Sequence, residues 1–432
     1  MLVNFFQKNS KKSFFYKKSG ANSCTIQKKT VHLPQICGDY PNYSPHKRGD
    51  KACFSPQNTT IKVQEMRVYL WQDERFPHFE WDTNALLTPL GEVHTLQGQL
   101  LGRMAALGFE GLAQQVETIT SEIVGSSQIE GVTLNADSVR SSVARHLGLE
   151  TAGSERTDHY TEGVVNSLME ATQAFAAPLT AERMFGWHAA FFPTGYSDGY
   201  KITVANWRVG DEPMQVVSGP MGKEKVHFVA PQSDDVPGMM EQFVEWCNAD
   251  DKTDPILRAA IAHLWFVTVH PFDDGNGRMA RTITEMMLAR ADGTSKRFYS
   301  LSAEIMRQRK AYYEALEQAQ KGPMDITPWL LWFVEALRNA LRYSLETTDK
   351  VLRKSAFWEQ HRDTEINERQ RKVINRLWDG LEGKLTTQKY AKINHCSQDT
   401  ALRDIQVLIA KNILRKTDEG GRSTNYELVV NV

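Results

Sequence analysis

His270-Pro271-Phe272-Asp273-Asp274-Gly275-Asn276-Gly277-Arg278-Met279-Ala280-Arg281 is the stretch on which the reading of this 432-residue chain turns. It packs an imidazole, two carboxylates, two glycines flanking an amide and two guanidinium groups between two segments of helical pattern. The glycines permit close backbone approach and positive φ. Successive N–H groups can then point into one concavity, where the positive end of the following helix also lies. The stretch reads as an anion cradle. Arg278 and Arg281 stand three apart on one helix face, where two fork-shaped donors suit successive phosphates. Asp274 would repel a phosphate unless Mg²⁺ lay between them. His270 is the nearby group whose ordinary pKa of about 6.5 suits removal of a hydroxyl proton near neutral pH. The chain has no G-x-x-x-x-G-K-[ST] loop and no kinase set of motifs.

Working outward, the pattern is mainly helical. Val93, Leu96, Leu100, Met104, Leu107, Leu112, Val116, Ile119 and Ile123 recur at three-and-four spacing, which predicts one long helical region. Further helices are predicted over 138–147, 157–175, 181–192, 236–248, 255–268, 278–290, 303–320 and 328–345. Residues 214–218 and 225–229 read as two strands of a hairpin, joined by a loop that begins Gly219-Pro220-Met221-Gly222. From Glu365 the rhythm changes to helices at 371–378, 387–393 and 397–411. Strand-like runs at 413–416 and 426–429 then flank the turn Glu419-Gly420-Gly421-Arg422. That is the order of a winged helix, a module that binds DNA in many proteins and docks proteins in others.

The composition, 41% hydrophobic and 24% charged, is that of a soluble globular protein, and the length predicts more than one domain. A formal net charge of −1 lacks the basic excess of a general nucleic-acid binder. The oily run 261–269 is too short to span a bilayer and contains His263. The five cysteines form no C-x-x-C pair, which disfavours a disulfide framework or structural zinc and favours a cytoplasmic location. Residues 1–65 carry eleven Lys and Arg against three Asp and Glu, lack periodicity, and read as disordered or as a mis-assigned extension preceding a start at Met66.

The twelve-residue stretch matches the Fic family signature H-x-F-x-[DE]-G-N-G-R-x-x-R at every specified position, and the resemblance runs from about Tyr69 to Leu345. It implies an all-helical Fic core with a small β-hairpin flap, carrying a winged helix behind it. The domains would be 1–65, a 66–150 helical segment with an inhibitory helix, a 151–350 catalytic core and a 365–432 winged helix. The implied activity is transfer of AMP from ATP, with Mg²⁺, to a Ser, Thr or Tyr hydroxyl of a target protein or of the chain itself. By position, the resemblance makes His270 the base and Asp274 the metal ligand. Gly275, Asn276 and Gly277 become the phosphate-binding backbone, and Arg278 and Arg281 the β- and γ-phosphate ligands. Phe272 looks like a core anchor. Gly277 favours AMP transfer, because relatives that phosphorylate instead carry Lys there. Tyr312, Tyr313 and Gln320 fall where relatives contact adenine and ribose. The hairpin resembles the family's flap, whose edge takes the target chain as an added strand. Its candidate docking residues are Val216, Val217, Val226, His227 and Phe228.

Ser126-Ser127-Gln128-Ile129-Glu130-Gly131 resembles the family's inhibitory pattern [ST]-x-x-x-E-[GN]. Alone it is a helix end stopped by glycine. Beside the signature it implies that Glu130 reaches Arg281 and takes the guanidinium that would hold the γ-phosphate, with Ser126 assisting. Homodimerisation is implied by the resemblance alone. Two other readings remain: de-AMPylation or another phospho-group transfer at the same site, and a DNA-binding regulator using Arg403, Lys411, Arg415, Lys416 and Arg422.

Overall fold

A helix buried on every side is mostly apolar on every side, and the segment ahead of the signature is so except at the buried Arg258, His263 and Thr268. In the computed structural model, residues 69–105, 108–149, 157–218, 225–417 and 424–430 are described, with the backbone alone at 15–17. From the N-terminus come β1 (Phe15–Lys17), α1 (Thr83–Ala105), α2 (Gly108–Ile129), α3 (Ala136–His146), α4 (His159–Gln173) and α5 (Ala181–Phe191). Two strand pairs follow, β2 (Tyr196–Ser197) with β3 (Tyr200–Lys201) and β4 (Gln215–Ser218) with β5 (Lys225–Val229). Next are α6 (Val236–Asn248), α7 (Pro255–Val269), α8 (Asn276–Asp292), α9 (Leu301–Arg307), α10 (Arg309–Gln320) and the long α11 (Thr327–Gln360). A C-terminal module holds α12 (Glu368–Trp378), β6 (Leu385–Thr386), α13 (Thr387–Asn394), α14 (Gln398–Ala410), β7 (Leu414–Lys416) and β8 (Asn425–Leu428). The fold is mainly α with small antiparallel strand pairs, as the sequence predicts.

Helix α7 is the axis of the main body. Pro255 at its first turn and the Asp254 side chain, which accepts from the Ile256 N–H, start it, and every residue from Ile256 to Val269 is buried. It packs along α8, whose own start and end are glycines in the left-handed region, Gly275 at φ 81 and Gly293 at φ 64. The remaining helices surround this pair and bury one continuous apolar core. Gly163 lets α4 cross α5 closely, since a methyl group there would stand 2.3 Å from the Ala190 carbonyl oxygen. A second core belongs to the C-terminal module and is built on Phe357, Val373, Ile374, Tyr390, Ile405 and Ile413. There the sheet order is β6-β8-β7, and Asn367, Thr386 and Ser397 cap the three helices.

Several elements differ from the sequence reading. The predicted single helical region is two helices, α1 and α2, and Leu107 lies outside the described residues. The predicted helix 303–320 begins at Leu301 and breaks at Gln308, whose N–H returns to the carbonyls of Glu304 and Ile305 and closes α9. The helix predicted to end at 345 runs on to Gln360, because no glycine or proline follows to stop it. The pairs β2–β3 and β6–β8 are too short to leave an alternating pattern. The loop from Gly219 to Gly222, the turn from Glu419 to Arg422 and residues 1–65 lie outside the described residues. The one exception is the β1 backbone, which runs antiparallel to β4 with Phe15 opposite Val217. Among the described residues no helix is long and apolar enough to cross a membrane.

Candidate active site

The site forms where α7 stops. His270 takes a left-handed backbone at φ 53, an uncommon conformation for a residue with a side chain, and its N–H still closes the helix on the Phe266 carbonyl. A strained residue persists only where its surroundings over-determine it. Here the buried Arg208 does so: its Nε donates to the His270 carbonyl at 2.8 Å and its backbone N–H to the Pro271 carbonyl at 2.8 Å. Its Nη2 reaches the Pro231 carbonyl at 2.6 Å, just beyond β5. Phe272, fully buried, stacks on His188 at 4.1 Å and 9°. The Asn276 side chain closes the turn, accepting from the Phe272 N–H at 2.9 Å and donating to the Phe272 carbonyl at 2.8 Å. The Asn276 side chain thus holds the turn, and its backbone N–H opens α8.

The His270 ring is oriented by its contact with a carbonyl. Nδ1 lies 3.1 Å from the Val267 oxygen, which can only accept, so Nδ1 carries the hydrogen and Nε2 the lone pair. Burial pushes the imidazole pKa down to about 3; the Val267 carbonyl opposes this and the neighbouring Arg208 charge adds to it. The ring is neutral at physiological pH, with the lone pair on Nε2. It lines a cavity of about 510 Å³ together with Gly277, Glu130, Tyr313, Gln320 and the hairpin residues Val216, His227 and Phe228. Of the other predicted hairpin residues, Val217 is buried and Val226 exposed, and neither lines the cavity.

The two signature arginines part company. Arg281 is 2% exposed; its Nε donates to Ser126 Oγ at 2.9 Å, and its Nη2 to the Ser126 carbonyl at 3.0 Å and to Glu130 Oε1 at 2.9 Å. Burial lowers its pKa, but the Glu130 charge and hydrogen bond, acting together with Tyr312 and Tyr313, raise it overall. Its Nη1 is buried with no hydrogen-bond partner, as is the Nε of Arg278. Arg278 donates Nη1 to Tyr160 Oη at 2.7 Å and lies over the rings of Phe191 and Phe192 at 5.1 and 4.7 Å. Glu130 also occupies the space over Gly277, where an added methyl would meet its Oε1 at 2.0 Å. The end of α2 is pinned there from α10, since the Ile129 carbonyl accepts from Arg309 Nε at 2.8 Å and from Tyr313 Oη at 3.2 Å.

Asp274 accepts from Ser197 Oγ and from the Gly275 N–H, while its carbonyl accepts from His188 Nε2 at 3.1 Å. Gln320 donates to the Val267 carbonyl at 3.2 Å, beside His270 Nδ1. Tyr312 is fully buried, 2.8 Å from His263, and does structural work behind the cavity. Sequence reasoning missed Arg208, Tyr160, His188, Ser197 and Arg309. None lies within the signature, and no local spacing marks them.

Residues 178–288 match the model of the Fic/DOC family, and residues 69–149 match a domain of unknown function, DUF4172. Proteins named protein adenylyltransferase Fic are similar over 125 residues, 31% identical in Drosophila willistoni and 32% in Drosophila grimshawi. The match covers 28% of this chain and spans about a quarter (24%) of the length of those relatives. A solved Fic family protein from Desulfovibrio desulfuricans G20 aligns with 82% of this chain and 98% of its own at TM-score 0.47 and 21% identity. Fic-1 from C. elegans aligns with 61% of this chain and 72% of its own at TM-score 0.40 and 21% identity. With the signature His270 to Arg281 inside the matched region, the chain carries a Fic/DOC family domain at residues 178–288.

Proposed function

We propose that this protein is a Mg²⁺-dependent protein adenylyltransferase held in check by its own α2 helix. The observation that carries the reading is the pairing of Arg281 with Glu130 at 2.9 Å, beside a neutral His270 whose Nε2 bears the lone pair. His270 Nε2 takes the proton of a Ser, Thr or Tyr hydroxyl. The hydroxyl oxygen bonds to the α-phosphorus of ATP as the bond to pyrophosphate breaks, leaving AMP on the target. The N–H groups at the start of α8 and the two arginines suit the β- and γ-phosphates. The unpartnered Nη1 of Arg281 and Nε of Arg278 support that assignment. Mg²⁺ takes one or two protein carboxylates beside phosphate oxygens, and among the described residues no cluster of three or more His, Cys, Asp or Glu forms a protein cage. Asp274, oriented by Ser197 Oγ, fits that demand; a bound Mg²⁺ would neutralise phosphate charge.

In the resting state Glu130 holds the guanidinium that the γ-phosphate needs, so ATP binds without the alignment transfer requires. Self-labelling by α-radiolabelled ATP tests this. Glu130→Gly is expected to raise incorporation about tenfold or more, a shift of roughly 1.4 kcal/mol per tenfold. His270→Ala in the Glu130→Gly background should lose about 10²–10⁴-fold, as removal of a general base does. Equal labelling by wild type and Glu130→Gly would reject the brake; undiminished labelling without His270 would reject the mechanism. The winged-helix reading of residues 365–432 rests on the order of three helices and a hairpin. DNA binding is the lesser reading, because Arg415 is paired with Glu427 and Lys411 with the Glu365 carbonyl.

A further inference from the structure

We propose that Trp71 is a positioning residue for the β4–β5 hairpin, so that the 69–149 segment governs the protein target as well as the nucleotide. The part concerning the target rests on reading the hairpin as the docking flap. With the β1 backbone on β4 the hairpin belongs to a sheet of three short strands, and so small a sheet still needs something to pack on. Besides Val217 it buries Met214, Phe228 and Ala230, and the side chains that complete this last cluster are Tyr69, Trp71 and Val216. Trp71 Nε1 donates to the Val229 carbonyl at 2.7 Å, at the end of the ladder where Val229 faces Gln215. Tyr69 sets its ring edge-on to Phe228 at 5.2 Å.

The segment that supplies these rings is itself anchored. The Glu80 N–H donates to the Met324 carbonyl at 2.8 Å, and the Ile326 N–H returns to the Glu80 carbonyl at 2.9 Å, just ahead of α11. From α10, Glu317 Oε2 meets His227 Nδ1 at 2.7 Å. The hairpin is therefore held by both α10 and the 69–80 segment, and that segment leads through α1 into α2, which ends beside Glu130. One N-terminal unit touches both walls of the cavity, the phosphate side through Glu130 and the hairpin side through Trp71.

Hydrogen exchange with mass spectrometry, in the Glu130→Gly background of the full chain, tests this hold. Trp71→Ala should exchange residues 214–218 and 225–230 about tenfold faster, with the 270–281 region unchanged. Trp71→Phe keeps a smaller aromatic ring but loses the N–H and should fall between. Self-labelling from ATP should drop about fivefold in Trp71→Ala, while the ATP Kd from calorimetry stays within about twofold. Unchanged hairpin exchange overturns the proposal, and so does a parallel loss of ATP affinity. If Glu130→Gly itself incorporates no label, the transferase reading fails while the exchange result still decides the role of Trp71.

Discussion

One carbonyl organises the catalytic face: the Val267 oxygen receives both His270 Nδ1 and Gln320 Nε2, fixing the imidazole tautomer and joining α10 to the base. Two further histidines are buried in the same body. His188 lies between Phe272 and the Asp274 carbonyl, and His263 between Thr284 and Tyr312. Burial pushes His188 down to about 4 and His263 and His270 to about 3. The unfolded chain would protonate all three near the ordinary value of about 6.5, so the unfolded state binds more protons below that pH. Their contribution is therefore complete above about pH 6.5 and is lost as pH falls toward about 4, by up to about 1.4 kcal/mol per pH unit for each histidine. Urea melts from about pH 7.5 to about pH 5 should show this decline, with a shallower slope in His263→Gln. A pH-independent midpoint would refute the buried neutral state.

At the scale of elements, the α2–α9 contact decides where Glu130 sits. Glu122 on α2 accepts from the Ser302 N–H at 2.9 Å and from Ser300 Oγ at 2.8 Å, latching α2 onto the start of α9. Gly125 permits the approach, since a methyl there would lie 3.0 Å from Ala303 N and Ser302 C. Gly125→Ala must push α2 off by a few tenths of an ångström and disturb the register of Glu130 one turn later. We expect basal self-labelling to rise about fivefold and Tm to fall about 2–4 °C. Gly98→Ala on α1, with open space at its added methyl, is the control and should do neither. Unaltered labelling in Gly125→Ala would mean that the α2–α9 contact does not set the brake.

For the whole molecule, two apolar cores share one helix. α11 gives Trp329 through Leu345 to the first core, with Leu352 packed against it, and Phe357 to the second. Domains with separate cores fold separately. Cutting between residues 346 and 350 should leave a 66–348 fragment with its thermal transition and self-labelling intact, and a 350–430 fragment that folds alone by circular dichroism. A fragment of residues 66–348 that unfolds would show the cores to be interdependent.

The signature and the helical class were legible because both are local. A left-handed glycine, two arginines three apart and an apolar helix impose their chemistry wherever they occur. Helix bounds were legible where a stop signal existed and failed where none did, as at the far end of α11. One partner was legible and one was not. The resemblance named Glu130 for Arg281, 151 residues away, whereas nothing in the sequence named Tyr160 for Arg278, 118 residues away. Pattern alone put both arginines on one face; packing gave one a partner on α4 and the other a partner at the end of α2. By itself the sequence determined the kind of site, because residue types and short spacings set what a loop can bind. Only the tertiary structure decided which buried groups hold that loop, among them Arg208, Tyr160 and Trp71, because their hydrogen bonds join segments that come together only when the core closes.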